Sequence, residues 1–226
     1  MKVNPERVLL ILAALALLAG GAWAAQRELA MFAMDSSSPP ARLASLMEVE
    51  DLPPSIESRH EILRQCSSLL FSIYARMGTD GGGDALIEHC GRLARSASET
   101  DGANSLAWSL QARVAGLKGD YAAMNQALAL SYTTGANEQW LAANRFATGE
   151  RYWAELTPEV RANHEADIRL MLGSRRAIAT LVSEYLAKPD FRARLIELVE
   201  GLPNEDQRRF INDVRRVSRN LGGMAR

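Results

Sequence analysis

The residues best suited to chemistry in this chain are few: two cysteines, three histidines, a Glu57-Ser58 pair and a run of arginines near the C-terminal end. Cys66 and Cys90 form an even pair, which in an exported chain suggests a disulfide. If helices run to Met77 and restart at Asp84, Cys66 lies 11 residues before one end and Cys90 lies 6 after the other. At about 1.5 Å rise per residue the axial offset is roughly 7.5 Å, at the edge of what a disulfide bridges. Two buried thiols on facing apolar stripes are the alternative. His60, His89 and His164 never pair at i, i+3 or i+4, so no zinc motif is present. His164 falls on an apolar helical stripe and reads as a hydrogen-bonded core histidine. His89 beside Cys90 raises a thiol nucleophile, which requires an exposed thiolate in an electropositive setting; Cys90 instead falls on a core stripe.

Glu57-Ser58 resembles the catalytic Glu followed by Ser of helical periplasmic murein lyases, and that likeness implies a murein-active lyase or hydrolase using Glu57. The Gly-rich segment that should follow is missing, and a glutamate in the first turn of a helix complements the helix dipole. Asp80 and Asp84 in "TDGGGD" fall short of a calcium ligand set. The sequence therefore predicts no catalytic residue, no metal and no cofactor.

The arginines are more informative. In "NEDQRRFINDVRRVSRNL", at 100° per residue, Phe210, Val214, Val217 and Leu221 share a 60° sector, and Arg208, Arg209, Arg215, Arg216 and Arg219 occupy the opposite 120°. Guanidinium groups suit bidentate contact with phosphate or carboxylate. The stripe is a candidate binding surface for an anionic glycan, a lipid headgroup or an acidic protein; a merely solvated charged face is the other reading.

These residues need elements to position them. Lys2 and Arg7 precede an uncharged run from Val8 to Ala25, the layout of an export signal or an anchor. Ala22-Trp23-Ala24 satisfies the small-x-small rule for cleavage before Ala25, whereas Leu29 to Met34 continue the apolar character and Trp23 suits a membrane interface. The expectation is an uncleaved single-pass inner-membrane anchor, N-terminus inside and the folded part in the periplasm, with a soluble periplasmic protein cleaved before Ala25 as the alternative. Residues 26–54, with Ser36-Ser37-Ser38-Pro39-Pro40 and Pro53-Pro54, read as a linker, with a short helix over Ala41 to Glu48.

Beyond Ser55 the apolar period is helical nearly throughout. Helices are expected to Met77, from Asp84, over Asn104 to Leu117, Asp120 to Thr133 and Asn137 to Trp153. Further helices follow from Thr157-Pro158 to Leu172, over 174–187, from an Asp190 cap to Glu200, and after an Asn204/Gln207 capping box to Leu221. No alternating run is long enough for a strand. Removing Lys2, Arg7 and Glu6 from the 26 basic and 27 acidic residues leaves 24 against 26, a net charge of −2, which excludes a generally nucleic-acid-binding surface.

"LAWSLQARVAGLKGDYAAMNQALALSY" resembles a tetratricopeptide repeat, with matches at Trp108, Ala112, Ala115, Gly119 and Tyr121. Met124 stands where a small residue is usual, no proline closes the unit near Ala136, and Trp140 with "GERYW" echoes the pattern loosely. The resemblance implies antiparallel helical hairpins, with Trp108, Tyr121 and Trp140 mainly core. An anchor, a tether and a degenerate repeat domain are also similar in layout to small periplasmic proteins of bacterial envelope-polysaccharide loci, which implies an accessory role. The expected protein is all-α: an N-terminal transmembrane or signal helix over 1–25, a linker over 26–54 and a helical domain over 55–226, with a tetratricopeptide-like core at about 101–156. Its expected partner is an envelope protein.

Overall fold

The computed structural model describes residues 5–32, 38–71, 82–174 and 176–224, and the side chains of 30–32, 82 and 220–224 are outside that description. Asp80, and Ile73, Tyr74 and Met77 of the expected stripe, lie outside the described residues. The fold is all-helical, with no strand among the described residues. It divides into two compact units, 1–102 and 103–226. The boundary falls inside the segment 55–226 that the sequence suggests is one domain.

The first unit holds α1 (Pro5–Phe32), α2 (Pro39–Met47), α3 (Ile56–Phe71) and α4 (Gly82–Thr100). Within α1, Pro5–Leu29 is long and apolar enough to cross a membrane and none of it is buried in the protein. It fits a single-pass anchor or a signal sequence. Within the segment expected to be a linker, the described residues 38–54 include α2. Ser38 caps that helix by accepting from the Ala41 N–H at 3.3 Å, Leu46 is fully buried, and the Arg92 guanidinium of α4 donates to the Glu50 carbonyl. Pro39 and Pro40 occupy the first helical turn, where a missing N–H costs nothing. Prolines that suggest an extended tether in the sequence therefore open a helix.

Ile62, Leu63, Leu69 and Leu70 of α3 and Leu86, Leu93 and Ala97 of α4 are buried. Cys66 and Cys90 face each other between these helices in a disulfide, Cα to Cα 5.6 Å. Helix α4 starts at Gly82, two residues earlier than Asp84, which lies in its first turn. Closing a loop with a sequence separation of 24 restricts the unfolded chain by about 3 kcal/mol in the entropic account of disulfides.

The second unit holds α5 (Ser105–Leu117), α6 (Tyr121–Gly135), α7 (Gln139–Arg151), a 3-10 turn (Trp153–Glu155), α8 (Pro158–Leu172), α9 (Ile178–Ala187), α10 (Pro189–Glu200) and α11 (Asn204–Met224). Helices α5 and α6 form a hairpin. Asn104 and Asp120 cap them through the Ala107 and Ala123 N–H groups, each at 3.0 Å. Between them Gly119 adopts φ +76°, which lets the Asp120 N–H reach the Ala115 carbonyl at 2.9 Å and the Gly119 N–H reach the Gly116 carbonyl at 3.2 Å. This paired bonding closes the helix end. At the open end of the hairpin Ser105 Oγ donates to the Ser131 carbonyl at 2.6 Å.

Some expected details differ. Tyr121 and Trp140 are 38% and 44% exposed, each in the first turn of its helix; Tyr121 leans on Tyr152 with ring centroids 5.9 Å apart, and Trp140 donates to Glu138 at 2.9 Å. Trp108 is half-buried. Pro189, not Asp190, leads α10, and its cap residue Lys188 makes no side-chain cap bond. Asn204 is already helical, and Gln207 donates to the Glu200 and Leu202 carbonyls, so the expected capping box does not form. Helix α9 begins at Ile178 rather than at 174. Thr157 caps α8 as expected, accepting from the Val160 N–H at 3.4 Å.

Candidate functional site

Helix α11 presents the arginine stripe. Phe210 is buried and meets Tyr185 of α9 edge-on, ring centroids 5.7 Å apart, while Val214 and Val217 pack on the same core. With that face seated, Arg208, Arg209, Arg215, Arg216 and Arg219 are all exposed. Arg209 pairs with Asp206 at 2.9 Å and also donates to the Leu172 carbonyl at the end of α8. Arg216 pairs with Asp213 one turn earlier. Arg219 donates to the Arg215 carbonyl at 3.2 Å. Among the described residues no carboxylate pairs with Arg208, Arg215 or Arg219. These three arginines are thus the part of the stripe open to an external anion.

A second cluster, of buried charge, lies among α6, α7, α8 and α10, and its partners are far apart in the sequence. Arg145 of α7 is 3% exposed. Its Nε and Nη2 donate to Asp167 of α8 at 2.7 and 2.6 Å, and its Nη1 donates to the Ser131 and Gly135 carbonyls at 3.1 and 3.2 Å. One guanidinium therefore holds three helices, and its charge sits against the negative end of α6. Burial pushes the Asp167 carboxyl above its ordinary value, and Arg145 only partly counters this.

Alongside, His164 of α8 stacks on Phe146, centroids 5.4 Å apart, and places Nε2 3.3 Å from Glu150 Oε2. A carboxylate only accepts, so Nε2 carries the hydrogen. Glu150 also accepts from Arg194 of α10, whose guanidinium lies 4.1 Å from the Trp153 ring centroid. Burial raises the Glu150 carboxyl, but hydrogen bonds from His164 and Arg194 and their charge outweigh it, leaving it below the usual value. Gly149 makes the approach of His164 possible: a Cβ there would lie 2.5 Å from His164 Nδ1. The cavity among Tyr132, Arg145, His164 and Asp167 is only about 10 Å³, at the lower limit for one water. The cluster clamps helices; it has no room for a substrate.

The other candidates are engaged or dispersed. Glu57 is exposed at the start of α3, whereas Ser58 is buried and its hydroxyl donates to Glu28 at 2.5 Å. His89 lies below its ordinary pKa, because it is desolvated and faces Arg92; its neighbour Cys90 is bonded to Cys66. No group of three His, Cys, Asp or Glu side chains suited to a metal occurs among the described residues. The stripe position of Arg145, with Leu141 and Ala142 before it and Phe146 after it, is the one sequence signal of the buried cluster. No protein-family model matches the chain, and no curated protein or solved structure matches it.

Proposed function

We propose that this protein is a membrane-anchored helical adaptor, with α1 in the inner membrane, the folded units in the periplasm, and an acidic envelope protein docking on the arginine face of α11. The observation that carries the reading is the combination in one chain of a membrane-length apolar helix with a helical unit whose Arg208, Arg215 and Arg219 are exposed without a carboxylate partner among the described residues. In this reading the α5–α6 hairpin is a degenerate tetratricopeptide-like unit, and the role is accessory, in envelope assembly, with exopolysaccharide assembly as the narrower case. Such arrays bind partners along extended surfaces without covalent chemistry.

The test is affinity capture of the full chain from detergent-extracted membranes, with mass spectrometry of chain and partner. The expected result is a chain retaining residues 1–24 and a membrane synthase or transporter that is lost when Arg208, Arg215 and Arg219 are changed to Ser. A chain beginning at Ala25 and captured alone would overturn the reading.

The same three arginines support a second reading, direct binding of an anionic glycan or lipid headgroup. It predicts affinity that falls steeply with salt and vanishes in the same triple variant.

A further inference from the structure

The last turns of α1 are hydrogen-bonded into the first unit. Glu28 accepts from the Ser55 N–H at 2.7 Å, the Ser55 hydroxyl at 2.9 Å and the Ser58 hydroxyl at 2.5 Å. Ser55 is the residue before α3, and its own Oγ accepts from the Ser58 N–H at 3.2 Å. In a capping box a glutamate three residues into the helix reaches back to the cap N–H. Here that place is held by Ser58, and the carboxylate comes from α1 instead. Arg27 adds a 2.9 Å ion pair to Asp51 and lies 4.9 Å from the Trp23 ring centroid.

The depth of this junction follows from the length of α1. The stretch between Arg7 and Arg27 is uncharged and helical throughout, so 20 steps of about 1.5 Å give roughly 30 Å, the hydrocarbon thickness of a bilayer. Trp23, 56% exposed, stands about 6 Å before Arg27, where an interfacial tryptophan belongs. With α1 spanning a bilayer, Glu28 would hold the start of α3 at the boundary between hydrocarbon and headgroups. Ile56, the first residue of α3, is 64% exposed. Pro54 is exposed and Leu52 half-exposed beside it.

We propose that the first unit binds the lipid surface directly, with the turn before α3 and Ile56 seated in the headgroup layer at a depth set by Glu28. The inference rests on the anchor reading of α1. The nearby charges are mixed. Arg27 is paired with Asp51, Arg59 donates to the Pro53 carbonyl at 2.7 Å, and Glu57 is exposed next to Ile56. Contact is thus made by apolar side chains, so it is insensitive to salt and to the fraction of anionic lipid.

The experiment places a maleimide-linked environment-sensitive fluorophore on the full chain carrying Ile56→Cys, reconstituted in phosphatidylcholine vesicles. Cys66 and Cys90 are buried and bonded, so only the introduced thiol reacts. Ser68→Cys, exposed on the same helix and about 18 Å further along it, is the reference. The expected result is that lipids with a nitroxide near the headgroup remove most of the emission at position 56, at low and high salt, and little at 68. Adding Glu28→Ala should restore emission at 56. Chains that remain in vesicles after carbonate washing but show no quenching at 56, or equal quenching at 56 and 68, overturn the proposal while sparing the anchor. Quenching unchanged by Glu28→Ala overturns the part assigned to Glu28. Chains stripped by carbonate overturn the anchor reading and this inference with it.

Discussion

Replacing Asp167 by Ala isolates the buried ion pair. Arg145 would keep its two carbonyl partners and lose both carboxylate bonds, leaving a guanidinium that is 3% exposed without a counter-ion. Removing one partner of such a pair costs about 3 to 5 kcal/mol, because the surviving charge stays desolvated. Against a total stability of about 5 to 15 kcal/mol, that is a large fraction. In a unit covering 103–226 it corresponds to a drop of about 10 to 25 °C in the unfolding midpoint. Thermal denaturation followed by circular dichroism reads it on the full chain in detergent. The paired change Arg145→Met with Asp167→Leu removes both charges and should recover most of the loss, since an apolar pair of similar volume often replaces a buried ion pair without cost. A drop of under about 3 °C for Asp167→Ala, or a double variant no more stable than the single, would refute the account of Arg145 as a charge that needs its partner.

Two further outcomes follow from the neighbouring groups. Gly149→Ala should destabilise the second unit by about 1 to 3 kcal/mol, because its Cβ would meet a ring stacked on Phe146 and packed against Trp153; a neutral result in urea titration would show that His164 is free to move. Glu150 has a folded-state pKa below its ordinary 4.5, so its stabilising contribution is present above that value and is lost as pH falls through the lower one. Glu150→Gln should therefore flatten the acid limb of stability against pH below 4.5, and an unchanged limb would count against the pairing with His164 and Arg194.

Local signals in the chain were readable wherever one segment decides its own structure. Asn104, Asp120 and Thr157 cap the helices that follow them, and Gly119 supplies the one left-handed residue that the α5–α6 turn requires. Legibility failed where the partner is distant. Glu28 meets Ser55 across 27 residues, Arg145 meets Asp167 across 22, and Arg194 meets Glu150 across 44. Such charges look like solvated surface because nothing nearby in sequence marks them as paired. His164 was legible as a core histidine, and it is buried, but its glutamate lies on another helix. The arginine face of α11 was readable because a single helix period generates it; its seating on α9 depends on Tyr185 and Phe210 meeting through the fold.

The close approach at Gly149 also constrains descent. A larger residue there requires a smaller one at 164, and loss of His164 leaves Glu150 with only Arg194; loss of Asp167 strands Arg145. Substitutions at these positions are therefore expected to be tolerated mainly in concert. The expectation is that relatives of this chain keep Arg-Phe-x-x-Gly-Glu at 145–150, His-x-x-Asp at 164–167 and Phe-x-x-Arg at 191–194 together, and an alignment in which these positions vary independently would count against the clamp.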